Sequence, residues 1–133
     1  MIYFLDTNAI SALMREDTGM ALWLSSFRVD SRVVICTITR GEILFGLGRL
    51  AQGRRRAELE AKAQQLFAAL PCEPIPPAAG DLYASLKVAQ QTRGVPLDEN
   101  DLWIAATALA IKATLVSRDS DFQGIEGLAV VVP

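Results

Sequence analysis

Short apolar runs alternate with longer stretches of helical pattern, and this alternation constrains the fold more than any other feature of the chain. Ile2–Leu5 is apolar, Arg32–Cys36 is apolar and β-branched, and Thr114–Val116 and Leu128–Val132 repeat the pattern near the end. Each reads as a buried strand. The intervening segments read as helices. Thr7 to Met14 is the first, and Met20, Trp23, Leu24 and Phe27 recur at helical spacing in the second. Thr37 to Leu50 places Ile43, Leu44 and Leu47 on one side. Arg54–Leu70 does the same with Leu59, Ala63, Leu66, Phe67 and Leu70, supported by a Glu58–Lys62 pair. Pro71, Pro74, Pro76 and Pro77 mark a loop, and Pro77 suits the first position of a further helix burying Ala79, Leu82, Tyr83, Leu86 and Ala89. Leu102 to Ile111 is interrupted only by Thr107, so this helix is expected to be buried nearly all round. Apolar strands separated by helices imply an α/β fold with a parallel sheet covered on both faces.

The chain's 133 residues predict one domain over 1–133, large enough to hold a core without a disulfide. Cys36 and Cys72 therefore read as reduced thiols of a cytoplasmic protein, and no apolar run approaches the length of a membrane span. The net charge of −2 announces no polyanion partner, although Arg54, Arg55 and Arg56 form a local basic cluster.

The chain contains no histidine and only two cysteines, so any site it builds must run on oxygen ligands. Asp6, Glu42, Asp101 and Asp119 stand at the ends of the apolar segments. Taken singly, each has an ordinary structural explanation. Asp6 suits a helix N-cap, and Glu42 follows Thr39 in a T-x-x-E capping box. Asp101 lies in a first helical turn beside the capping candidate Asp98, and Asp119 lies in a turn sequence. Taken together they point elsewhere. Asp6 and Asp119 follow the carboxyl ends of strands, where open α/β sheets bind ligands, and Glu42 and Asp101 sit in first turns of helices that begin at that edge. Such clustering is costly unless a cation offsets it, and carboxylates without histidine or thiolate suit a hard ion such as Mg²⁺ or Mn²⁺.

The segments Leu5-Asp6-Thr7-Asn8, Thr39-Arg40-Gly41-Glu42, Asn100-Asp101-Leu102-Trp103-Ile104-Ala105-Ala106 and Val116-Ser117-Arg118-Asp119-Ser120-Asp121-Phe122 resemble, in order and spacing, the signatures of PIN-domain ribonucleases of the VapC toxin type. The resemblance covers essentially the whole chain. It implies a three-layer α/β/α sandwich with a central parallel sheet, Mg²⁺- or Mn²⁺-dependent RNA cleavage leaving a 5′-phosphate and a 3′-hydroxyl, and a homodimer neutralised by a VapB-like antitoxin. On this pattern Asp6, Glu42, Asp101 and Asp119 fall on the acidic positions, with Asp6, Asp101 and Asp119 as metal ligands. Thr7 and Ser117 fall on the polar helper positions, Ser117 replacing the commoner threonine, and Asp121 matches a further acid; Asn8, like Thr7 and Ser117, can hydrogen-bond waters or ligand oxygens around the cation. Arg40 and Arg118 flank the expected site and, with Arg54 and Arg55, are candidates for RNA phosphates. Arg15 is a weaker one. The lack of histidine independently argues against cleavage by a histidine pair through the 2′-hydroxyl. Two other functions fit the same segments: a DNA nuclease, and an RNA-binding module without catalysis. Trp103 and Trp23 read as packing residues, and the first four helices carry more apolar surface than one sheet face needs, suiting a partner.

Overall fold

The structure, a computed structural model, describes residues 1–26 and 30–133. Five parallel strands form one sheet: β1 (Ile2–Leu5), β2 (Arg32–Cys36), β3 (Cys72–Glu73), β4 (Thr114–Val116) and β5 (Val130–Val131), in the order β3-β2-β1-β4-β5. The helices are α1 (Thr7–Met14), α2 (Thr18–Ser25), α3 (Thr37–Gly48), α4 (Arg54–Ala69), α5 (Pro77–Thr92) and α6 (Glu99–Ala110), with a 3-10 turn over Ser120–Phe122.

Side chains alternate across the sheet, and the two faces collect different helices. Leu5, Ile35 and Val116 point to a cluster with Ala9, Ile10 and Met14 of α1, Met20 of α2, Ile43 and Leu47 of α3, and Ala63 of α4. Phe4, Val34, Cys36 and Leu115 point the other way, to Ile104, Ala105 and Ala108 of α6, with Leu86 of α5 packed behind them. This is the three-layer α/β/α sandwich. The chain builds β1, β2 and β3 outward with helices on one face, then crosses by α5 and α6 on the other face to lay β4 against β1's free side. The strand order therefore reverses between β1 and β4, and a doubly wound sheet opens a crevice at such a point.

Several elements differ from the sequence reading for identifiable reasons. The strand at Cys72–Glu73 pairs with Ile35 and Cys36 inside what reads as a proline loop. It is too short and too exposed to show a pattern. The last strand contracts from Leu128–Val132 to Val130–Val131, because only Leu115 and Val116 remain as partners. Lys62 reaches Glu16 across the helix packing at 2.8 Å instead of its neighbour Glu58. The i,i+4 pair of α4 is Arg56 with Glu60. In α5 it is Gln90, not Ala89, that is buried, its amide donating to Val95 carbonyl at 3.0 Å. Pro77 does open that helix, and α6 is buried along Leu102 and Ile104 to Ala108. Phe27, grouped by spacing with Met20, Trp23 and Leu24, lies outside the described residues.

Candidate active site

Asp6 ends β1 and begins α1 with no loop between. Its backbone is extended, its N–H continues the ladder by donating to Val116 carbonyl at 3.3 Å, and its Oδ1 caps α1 by accepting the Ala9 N–H at 2.7 Å. The capping role and a role in the site are thus compatible, because the cap occupies one oxygen and leaves the other to a different partner. The other oxygen accepts the Ser117 hydroxyl at 2.5 Å. Leu5 pairs with Val116, so Asp6 and Ser117 are next in register across neighbouring strands. Asp6 is 3% exposed and Ser117 fully buried. Ser117 Oγ in turn accepts the Asp119 N–H at 3.0 Å, which fixes the backbone that carries Asp119. Burial pushes the Asp6 carboxyl above its ordinary pKa; the bonds from Ser117 and Ala9 oppose this, and the charges of Asp119 and Glu42 add to it.

Glu42 does not form the capping box its spacing suggests. The α3 helix starts at Thr37 straight after the strand, with Cys36 at the cap and no side-chain cap bond, so Thr39 already lies inside the first turn and is fully buried. Glu42 is released to face α1, where Oε1 accepts the Thr7 hydroxyl at 2.6 Å. On α6 the capping duty falls to Asp98, whose carboxylate accepts the Asn100 N–H at 3.2 Å. Asp101, one turn further in, has no hydrogen-bond or ion-pair partner among the described residues. Its pKa is pushed up to about 6, first by burial and then by the negative charges of Asp98, Asp119, Glu42 and Asp6.

The fold therefore brings Asp6, Glu42, Asp101 and Asp119 within electrostatic reach of one another, from four separate stretches of chain. Among the described residues no three of these carboxylates are already drawn to the spacing of one ion's coordination shell. Mg²⁺ takes only one or two protein carboxylates and keeps several waters, so one ion does not require three of them in its shell. The donor set fits a hard divalent cation. It consists only of oxygens, its members destabilise each other's charged forms, and Asp101 has no counter-charge of its own.

The other sequence candidates separate clearly. Arg118 is engaged within the protein: its guanidinium donates to Asp17 in two 2.9 Å bonds and its Nε donates to Pro133 carbonyl at 3.1 Å. Arg40 lies over the Phe67 ring, 4.5 Å from the centroid, on the α4 side. Asn8 is exposed and lines a small cavity with Ala12, Arg15, Met20 and Arg118, of which Glu42 is not a part. Asp121 is exposed, donates its N–H to Asp119 at 2.9 Å, and lines a different cavity with Gln90 and Arg93. Trp103 stacks on Tyr83 with centroids 4.1 Å apart, and Trp23 meets Tyr3 edge to face. Arg54 is exposed at the start of α4, and Arg55 joins Arg15, Thr7 and Glu42 around a cavity of about 270 Å³. The spacing of the sequence did not single out Asn100 or Phe45, which share a second cavity with Thr7 and Glu42. The position of Phe45 one turn after Glu42 was the available signal.

The PIN domain family profile matches residues 3–128. The chain is a PIN-domain protein. Ribonuclease VapC1 of Haemophilus influenzae (strain R2866) is 34% identical to it over 133 residues, spanning 96% of this chain and 95% of that protein. Identity sustained at this level over nearly the full length places this PIN domain with the VapC type. Among solved structures, VapBC-1 from nontypeable Haemophilus influenzae superposes with a TM-score of 0.87 at 27% identity, covering 99% of this chain and 98% of the other. VapBC2 from Rickettsia felis, bound to a DNA fragment from its promoter, gives 0.90 at 22% identity over 100% and 99%, which speaks to the shared PIN fold.

Proposed function

We propose that this PIN-domain protein is an endoribonuclease toxin whose partner is a VapB-like antitoxin, and that it hydrolyses RNA phosphodiesters with a bound Mg²⁺ or Mn²⁺. The observation that carries the reading is Asp101: a half-buried carboxylate without a partner among the described residues, under the charge of three further acids at the switch point of the sheet. Asp6 and Asp101 are the residues we assign as direct ligands, with Asp119 as a metal residue that reaches the cation through one of its waters. When bound, the cation neutralises the phosphate and lowers the pKa of the attacking water.

The chain's own residues supply the rest. Ser117 holds one oxygen of Asp6 and the Ala9 N–H holds the other, so the carboxyl presents a fixed face to the crevice. Thr7 fixes Glu42 as an acceptor able to orient the attacking water. Arg15 and Arg55, on the cavity beside Glu42, oppose the repulsion between phosphate and carboxylates.

Leu22, Leu44 and Leu50, at least 37% exposed, give the antitoxin or a second copy of the chain an apolar footing on the α1–α4 side. We assign a homodimer on this ground and, from the free thiols Cys36 and Cys72, a cytoplasmic setting. Among the described residues no helix is long and apolar enough to cross a membrane.

Incubating the purified protein with single-stranded RNA and with matched DNA, in Mn²⁺ and in EDTA, tests the reading. RNA should be cut in Mn²⁺ to 5′-phosphate ends and spared in EDTA and by the Asp101→Asn protein. Full activity in EDTA, or from Asp101→Asn, would overturn it, and preferential cutting of DNA would make it a DNA nuclease.

A further inference from the structure

The acidic cluster does not account for the solvent face of α3. Ile38, Glu42, Phe45 and Arg49 follow one another at helical spacing and line one side of the helix, all four bordering a cavity of about 610 Å³ with Thr7, Gly46 and Asn100. Phe45 is 67% exposed, and the Arg49 guanidinium lies over its ring, 5.5 Å from the centroid. A single exposed apolar side chain is ordinary; its position here is not. The ring stands one helical turn, roughly 5 Å of rise, from Glu42, and Glu42 is the residue that also borders the cavity holding Arg15 and Arg55. An aromatic face coupled to a guanidinium at the rim of a phosphate-cutting centre matches the two chemical parts of one nucleotide, a flat base and an anionic phosphate.

We propose that Phe45 and Arg49 form the seat for an unpaired base next to the cleaved phosphate. The base stacks on the exposed part of the Phe45 ring, and Arg49 meets the adjoining phosphate while steadying the ring from its other contact. A base in a duplex is already stacked on both sides and is not free to reach the ring, so the seat selects single-stranded RNA. Gly46, beside Phe45, supports this use of the surface: a Cβ built there meets nothing within 4 Å, and it borders the cavities on both sides of Glu42, so the path past the ring is open toward Arg15 and Arg55. This inference rests on the nuclease reading and specifies the substrate form that the same site takes.

The test uses the full chain carrying Asp101→Asn, so that binding is read without cleavage, and a labelled single-stranded RNA in which each position in turn is made abasic. Adding Phe45→Ala should weaken binding of intact RNA by about 5- to 150-fold, the range for loss of one base–aromatic stack, while Phe45→Trp retains it. One abasic position should weaken binding to the Phe45 protein by a similar factor and cost the Phe45→Ala protein nothing more. On the Asp101 background, cleavage should fall with Phe45→Ala for single-stranded RNA, and the unaltered protein should prefer that RNA over the same sequence in a duplex. The proposal is overturned if Phe45→Ala binds and cuts like the unaltered protein. It is overturned too if intact and abasic RNAs lose equally, or if light scattering shows that the substitution changes the oligomeric state and leaves RNA binding untouched. Should the unaltered protein cut no RNA in Mn²⁺, the nuclease reading fails by itself, and the binding comparison still decides whether the seat exists.

Discussion

Replacing Asp101 with asparagine should make the metal-free protein more stable while abolishing its activity, and the size of the gain can be worked from the site. The Asp101 carboxyl is raised from 3.8 to about 6, first by burial and then by Asp98, Asp119, Glu42 and Asp6. A displacement of that size corresponds to about 3 kcal/mol of penalty on the charged form above pH 6. Because the group is only half-buried, solvent screening reduces this to ~1.5 kcal/mol. Removing an acid from the first turn of α6 gives back about 0.5 kcal/mol of favourable helix-dipole interaction. The net expectation at pH 8 is a gain of ~1 kcal/mol, or about 3–6 °C in Tm for a chain of this size. The sign with pH follows from the raised value. The folded state binds the proton more tightly than the unfolded state, so the wild-type protein loses stability as pH rises from about 4 to about 6 and carries the full penalty above that window. The gain from Asp101→Asn should therefore be present at pH 8 and vanish at pH 4. Thermal unfolding of both proteins in EDTA across that range is the assay. A variant that is less stable than wild type at pH 8, or whose advantage does not shrink on acidification, refutes the electrostatic account of the site.

Ser117→Ala removes the hydroxyl that holds Asp6 and the backbone of Asp119; metal affinity should fall about 10- to 100-fold, read by titrating Mn²⁺ into RNA cleavage, while Ser117→Thr keeps it. Thr7→Val frees Glu42 from its 2.6 Å bond and should lower the cleavage rate at saturating metal more than it alters metal affinity. Arg118→Ala should leave RNA affinity unchanged, since Arg118 is spent on Asp17. It should instead reduce stability at neutral pH. The Arg118 guanidinium and the Met20 N–H hold the Asp17 carboxyl well below the usual range, so this contribution is present above pH 4 and is lost as the pH falls further, and the Tm difference from wild type should narrow in acid.

The parts of this fold that were legible in the sequence are those where pattern and packing agree. Strand β1, helix α1 and strand β4 carry apolar runs bounded by Asp6 and Ser117, and these two residues, next in register, bond each other across the strand ends. The parallel sheet followed from strands that are apolar on both faces. Strand β3 was hidden because two residues among prolines carry no period; only the presence of Ile35 and Cys36 beside them makes a strand. The T-x-x-E at Thr39 and Glu42 misled because helix α3 begins three residues earlier than a capping box needs. The cations were the least legible. Arg118 and Arg40 stand next to site residues in sequence, yet long side chains reach well beyond their own backbone, and each finds its partner, Asp17 or Phe67, on a distant segment. Arg15 and Arg55 reach the Glu42 cavity only because α1 and α4 pack side by side on one face of the sheet.

Direct titration of Mn²⁺ by electron paramagnetic resonance probes the acidic crevice with no substrate in play. The wild-type protein should remove free Mn²⁺ from solution, and Asp6→Asn and Asp101→Asn should each abolish that uptake while remaining folded by circular dichroism. Equal uptake by all three folded proteins, or none by the wild type, would contradict a cation held between the β1 and β4 strand ends.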